Sequence, residues 1–288
     1  MSKFKRLTSP KYNVKDSSSF KHNDETYMIC TNIKEGGLIV LKEQLDGTYE
    51  EYDKNFVKWT WCWAPCTYKE NGKMFVFFSD TGGAPDITDV FKAGQAARLY
   101  YCEYDVENKI WGNISKMIVG DDSFGLIDPT IKKIGDLYYL IYCNTKPRYF
   151  KEYRKYIPKC IQKIFRLYKE KAIGWDIYGA SSTSLFGPYE VDKQLVRSGP
   201  GMYIEEAPCW ATNDLLYWSE NISDIGSYIC SGIVSVAGKS ISVKVLDDFR
   251  LEDTKSITTT HPDYFDGELK ATLRDNEHTP FYIGKLIK

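Results

Sequence analysis

Three carboxylates recur at one place in a repeated unit of this 288-residue chain. Asp16 opens "DSSSFKHNDETYMICT", Asp128 opens "DPTIKKIGDLYYLIYC", and Glu206 stands directly before "APCWATNDLLYWSE". Two further units complete the set, "APCTYKENGKMFVFFS" from Ala64 and "HPDYFDGELKATLR" from His261. A single loop Asp commonly caps a turn. Three carboxylates at matched positions can instead converge and divide their roles. One protonates a leaving oxygen, one activates water, and a third charge tunes the pair, which is what hydrolysis of a glycosidic bond requires.

The elements that must position these groups follow from the repeat. Each unit has a small or polar residue, usually before proline, then a strand, a polar turn and a second strand. Asn71-Gly72 is a strong tight-turn signal, and the aromatic and β-branched run after it suits a buried strand. The units begin 48, 64, 79 and 54 residues apart, which leaves room for two more strands each time. "ARLYYCEYD", "GASSTSLFGPYEV" and "SYICSGIVSVAG" are expected to be such strands. Four strands per unit at this spacing is the construction of a β-propeller blade. The expected fold is therefore all-β, a single five-bladed β-propeller domain over residues 1–288. A β-sandwich would not restart at X-Pro five times. In a propeller the innermost strands start near the axis, so Asp16, Ala64, Asp128, Ala207 and His261 should ring a funnel-shaped axial pocket.

One segment breaks the pattern. Tyr153, Ile157, Ile161, Ile164 and Tyr168 recur at helical spacing, and the other face of residues 151–171 carries eight Lys or Arg against two Glu. This predicts a helical insertion in the third blade, over about 147–175. It is either a lid packed on the propeller by its apolar stripe or a basic amphipathic helix for an anionic membrane surface.

Composition removes several alternatives. A net charge of −1 and a pI near 6.4 give no case for nucleic-acid binding. The 22 Tyr and 7 Trp suit an all-β core and equally a surface that stacks on sugars. The first residues lack the apolar stretch of a signal peptide, and no window approaches a membrane span. Eight cysteines without a CxxC pair fit small buried hydrophobes in a reducing compartment, so the expected location is cytoplasmic. With three histidines and no Gly-x-Ser-x-Gly elbow, Ser-His-Asp catalysis has little support, and no phosphate-binding glycine loop is present.

Over roughly residues 10–285 the chain resembles glycoside hydrolase family 43 and its five-bladed relatives. The resemblance rests on Asp16-Ser17-Ser18 for that family's Asp-Pro-Ser, on Trp63-Ala64-Pro65, on Asp128-Pro129, on Glu206-Ala207-Pro208 for Glu-Gly-Pro, and on "SSTSLFGPYE" at 181–190. Ser17 and Ala207 depart from the pattern without removing a carboxylate. The resemblance implies an inverting hydrolase of arabinofuranosyl or xylosyl units in an oligosaccharide or polysaccharide. Asp16 would be the general base, Glu206 the general acid, and Asp128 the group that orients and tunes it. Glu205 competes for the acid role, because adjacent strand residues point to opposite sides. Trp63 stacks on a sugar face or supports the core. Arg274 bonds a sugar hydroxyl or is a surface arginine. His261 lies near an axial calcium, through water, as in some members, or fills the axis as a neutral structural histidine; no cofactor is required. The competing functions are a propeller that binds or transfers a glycan at a membrane through residues 151–171, and a non-catalytic interaction propeller.

Overall fold

The computed structural model describes residues 3–56, 62–82, 90–120, 122–145, 158, 175–196, 203–222, 226–246, 251–253 and 255–287. Strand β1 (Phe4–Arg6) comes first, and the first blade follows as β2 (Val14–His22), β3 (Glu25–Asn32), β4 (Leu38–Glu43) and β5 (Tyr49–Asp53). The second blade holds β6 (Cys62–Glu70), β7 (Lys73–Asp80), β8 (Arg98–Asp105), β9 (Ile110–Trp111) and β10 (Ser115–Lys116). A short helix, α1 (Val90–Ala96), stands between β7 and β8. The third blade is β11 (Leu126–Ile134), β12 (Leu137–Asn144), β13 (Asp176–Ser182) and β14 (Glu190–Val196). The fourth is β15 (Tyr203–Trp210), β16 (Leu215–Ile222), β17 (Gly226–Ala237) and β18 (Ser240–Val245). The fifth is β19 (Thr258–Phe265), β20 (Glu268–Arg274) and β21 (Tyr282–Leu286), completed on its outer edge by β1.

All pairings within the blades are antiparallel, and the first strands touch in the cyclic order β2, β6, β11, β15, β19 and back to β2. The chain is therefore a five-bladed β-propeller. Three of the inner hairpins turn on residue pairs that both have positive φ, Asn23-Asp24, Asn71-Gly72 and Asp266-Gly267. That conformation matches the right-handed twist of the strands it joins.

The second strand of each blade is apolar on both sides because a blade is covered on both faces. Side chains alternate across a strand, so β12 sends Leu140 and Tyr142 toward the second blade and Tyr139, Ile141 and Cys143 toward the fourth. Five buried clusters result, one at each junction between neighbouring blades. Both sides of such a strand read as one continuous hydrophobic run, as in "LYYLIYC".

The helical insertion expected at about 147–175, and with it the membrane contact of residues 151–171, lies outside the described residues except for Pro158 and Trp175. Among the described residues no helix is long and apolar enough to cross a membrane.

Candidate active site

Every innermost strand is interrupted at the same place. The register with its neighbour slips between Lys15 and Ser18, Trp63 and Cys66, Ile127 and Thr130, Glu206 and Cys209, and Thr260 and Asp263. The first residue inside each bulge is left-handed: Asp16 at φ 54°, Ala64 at 47°, Asp128 at 55°, Ala207 at 52° and His261 at 51°. None is a glycine, so each costs about 1–2 kcal/mol relative to ordinary backbone. Such strain persists where the surroundings enforce it, and it collects at functional sites. The next residue is Ser17, Pro65, Pro129, Pro208 or Pro262. Proline is tolerated there because the ladder is already broken and no donor is needed.

Each strained residue is tied to the preceding blade through its amide. The N–H groups of Asp16, Ala64, Asp128 and His261 donate to the hydroxyls of Thr272, Thr31, Ser79 and Ser219 at 2.9, 3.0, 2.8 and 2.6 Å. In the third blade the residue matching those hydroxyls is Cys143, and the Ala207 amide donates to Oδ2 of Asp128 at 3.0 Å.

The bulges bring the predicted carboxylates together at the axis. One ligand-type atom each from Asp128, Glu206 and His261 lies within 4.8 Å of the others. These three line a cavity of about 290 Å³, walled by Trp63, Trp175 and Phe281 and edged by Lys15, Asn221, Ser227 and Thr260. Asp16 borders a second, smaller axial cavity of about 30 Å³, with which Asp128 and His261 are also in contact. Glu206 thus faces the larger space, Asp16 the smaller one, and Asp128 and His261 lie between them.

Asp16 is 3% exposed. Its Oδ2 accepts from Thr31 Oγ1 at 2.8 Å and has Lys15 Nζ at 3.4 Å. His261 Nε2 stands 3.1 Å from Oδ1 but off the line of a hydrogen bond. Burial opposes ionisation of Asp16, yet the electrostatic influence of His261, the Lys15 charge and the Thr31 hydroxyl together hold its carboxyl below the usual carboxylate range. Asp128 has the opposite balance. Burial outweighs the attraction of His261, the negative charges of Glu206 and Asp16 add to it, and the carboxyl is pushed up to about 7. Two neighbouring carboxylates whose environments drive them apart in acidity are the usual basis for separate acid and base roles.

Glu206 is half-buried, and its Oε1 accepts from Asn221 Nδ2, whose Oδ1 in turn accepts from Ser227 Oγ. Glu205 precedes it in β15, opposite Glu220, and its side chain lies outside the described residues. Trp63 both lines the larger cavity and packs against the cluster between the third and fourth blades. The Arg274 guanidinium donates to the carbonyls of Thr279 and Glu277 and stacks 4.7 Å over the Phe281 ring. Its contact with the cavity runs through that ring. His261 places Nδ1 2.9 Å from Thr260 Oγ1 and Nε2 against Asp16, so both ring nitrogens face protein groups.

The spacing of Asp128, Glu206 and His261 is compatible with a metal ion. Calcium, however, takes six to eight oxygen ligands. Here the protein would supply two carboxylates and one imidazole nitrogen beside the Lys15 ammonium, and waters would have to provide the rest of such a shell.

Sequence reasoning missed Lys15, Asn221, Ser227, Trp175 and Phe281. Lys15 carried a signal, since it precedes Asp16 as Trp63, Ile127, Glu206 and Thr260 precede the other four ring residues, and all five line the larger cavity. Burial disfavours its charge, but Asp16, Glu206 and Asp128 outweigh this and hold its acidity below that of an ordinary lysine.

No family model and no curated protein sequence matches the chain. Solved structures do. An α-L-arabinofuranosidase from Lactobacillus brevis superposes with a TM-score of 0.62 at 14% identity, covering 95% of this chain and 90% of its own. A thermostable family-43 glycoside hydrolase gives 0.63 at 14% identity over 95% and 88%. The catalytic domain of the Coprinopsis cinerea GH62 α-L-arabinofuranosidase gives 0.61 at 12% identity over 99% and 96%. At these identities the likeness establishes a shared fold, and the chain is similar to these propellers along nearly its whole length.

Proposed function

We propose that this protein is a glycoside hydrolase that inverts configuration and removes a pentose-type unit, arabinofuranosyl or xylosyl, from an oligosaccharide or polysaccharide. One observation carries this reading: Asp128, with its acidity weakened to about 7, stands within 4.8 Å of Glu206 in a cavity walled by aromatic rings. Aromatic faces beside a few convergent polar groups suit a sugar, which has apolar faces and a hydroxylated rim. The solved structures with this fold that are named as arabinofuranosidases support the pentose class.

In this mechanism Glu206 gives its proton to the departing oxygen, and Asn221 fixes the orientation of its carboxyl. Asp128 stands beside Glu206 and orients it within the cavity. Asp16, held ionised by Lys15 and His261, takes the proton of the attacking water. Lys15 offsets part of the charge of three clustered carboxylates. His261 is a positioning group between the two cavities.

The test is hydrolysis of nitrophenyl glycosides, with the configuration of the released sugar followed by NMR. Turnover of arabinofuranosides or xylosides with an inverted first product is expected. A retained product would overturn the inverting mechanism, and no turnover of any glycoside would overturn the hydrolase reading.

A further inference from the structure

The smaller axial cavity has a feature that the reaction just described does not use. Four blades border it with prolines, Pro65, Pro129, Pro208 and Pro262, whereas the first blade contributes Ser17. Ser17 is 8% exposed, and its Oγ has no hydrogen-bond partner. Oδ1 of Asp16, bordering the same cavity, also has none, because the nearby His261 nitrogen is misaligned with it.

Buried polar atoms are almost always satisfied by protein or by ordered water. A water requires room for about one probe sphere, roughly 10–15 Å³, together with two to four polar partners. The cavity measures about 30 Å³ and has Ser17 Oγ, Asp16 Oδ1, Asp128 and His261 at its edge. Space and partners are both present.

We propose that Ser17 makes the axial cavity a binding site for one ordered water, which accepts from Ser17 Oγ–H and donates to Asp16 Oδ1. Thr31 already fixes the other oxygen of Asp16. The water supplies the second constraint, so the carboxylate is held at both oxygens. Ser17 is thus a positioning residue for Asp16; its effect on turnover, though not the water site itself, rests on Asp16 being the base. A proline at position 17 would complete the apolar ring of the other four blades and remove the hydroxyl that anchors the water.

The test has two independent readouts. The first is an experimental structure of the wild-type protein, Ser17→Ala and Ser17→Pro, at a resolution that shows ordered water. A peak within hydrogen-bond distance of Ser17 Oγ and Asp16 Oδ1 is expected in the wild type and is expected to be lost in both variants. Absence of the peak from the wild type, its persistence in both variants, or a peak removed by a chelator would overturn the proposal. Ser17→Ala covers the case in which Ser17→Pro fails to fold. The second readout is kinetic: kcat should fall about tenfold with KM unchanged, a fraction of the 10²–10⁴ that general-base catalysis contributes. An unchanged kcat in variants that have lost the water would overturn the positioning role. The crystallographic readout needs no turnover, so failure of the hydrolase reading and failure of the water site are distinguishable.

Discussion

The backbone amide of Ala207 donates to Oδ2 of Asp128 at 3.0 Å, which joins the fourth blade to the third through a side chain that also stands beside Glu206. Four other junctions use a hydroxyl for the same bond. Asp128 is therefore both a joint of the propeller and a neighbour of the candidate acid. Substitutions can separate the two roles. Asp128→Asn keeps an oxygen for the amide and loses the charge, so stability should be nearly retained while turnover falls about 10²-fold or more. Asp128→Ala leaves the Ala207 amide unpaired and should cost about 1–3 kcal/mol in denaturant unfolding.

Asp128 also gives stability a pH dependence of definite sign. Its carboxyl is raised from 3.8 to about 7, so between these values the folded protein keeps a proton that the unfolded chain has released. Its contribution is fully present below about pH 4 and is lost as the pH rises through 7, with a slope of at most about 1.4 kcal/mol for each pH unit crossed. Asp16 acts in the opposite sense below that window, because its lowered carboxyl contributes stability that is lost on acidification through its folded value. Unfolding at pH 4, 5.5 and 7 should show a smaller decline in Asp128→Asn than in the wild type. Equal declines would refute the assignment.

The acid and base roles predict different substrate responses. Asp16→Ala should abolish turnover on all substrates. Glu206→Ala should hurt natural glycosides by about 10²–10⁴-fold and spare those with good leaving groups, which need little protonation. Equal losses on both classes would transfer the acid role to Glu205.

Lys15 lies 3.4 Å from Asp16 Oδ2 and favours its ionised form. Lys15→Met should therefore move the acidic limb of the kcat/KM profile to higher pH, since the base would be protonated sooner. A limb that stays in place would show that Lys15 does not tune Asp16.

Left-handed alanine is a strained choice that glycine would relieve. Ala64→Gly should stabilise the protein by about 0.5–1 kcal/mol, the relief of strain partly offset by the greater freedom of glycine in the unfolded chain. Ala180, buried in β13 and outside the left-handed set, provides the contrast. Ala180→Gly should destabilise, and thermal melts of the two variants would check both signs.

The ring itself was legible because one local event, a break before proline, recurs along the chain and marks Asp16, Ala64, Asp128, Ala207 and His261 alike, with Ser17 standing in for the proline once. The bulge that unites them was not, since a left-handed Asp or Ala looks like any other in sequence. Asn221 and Ser227 reach the cavity through their cross-strand pairing, and Trp175 from its place just before β13, which residue spacing does not encode. Lys15 was overlooked because its place one residue before the ring has meaning only once the strand is known to carry that residue into the larger cavity. The closing of the fifth blade by β1 depends on a pairing between Phe4–Arg6 and Gly284–Leu286 across nearly the full chain, which no local pattern announces.

The five left-handed bulges form a socket with five addresses. Backbone geometry aims whatever side chain stands at each address, and the side chain does not determine the geometry: aspartate, alanine and histidine all adopt the same φ to within a few degrees. Two addresses, Ala64 and Ala207, carry only a methyl group. A designer could install a carboxylate or an imidazole at either one without redrawing the scaffold, changing the reaction by altering the occupants of a fixed frame.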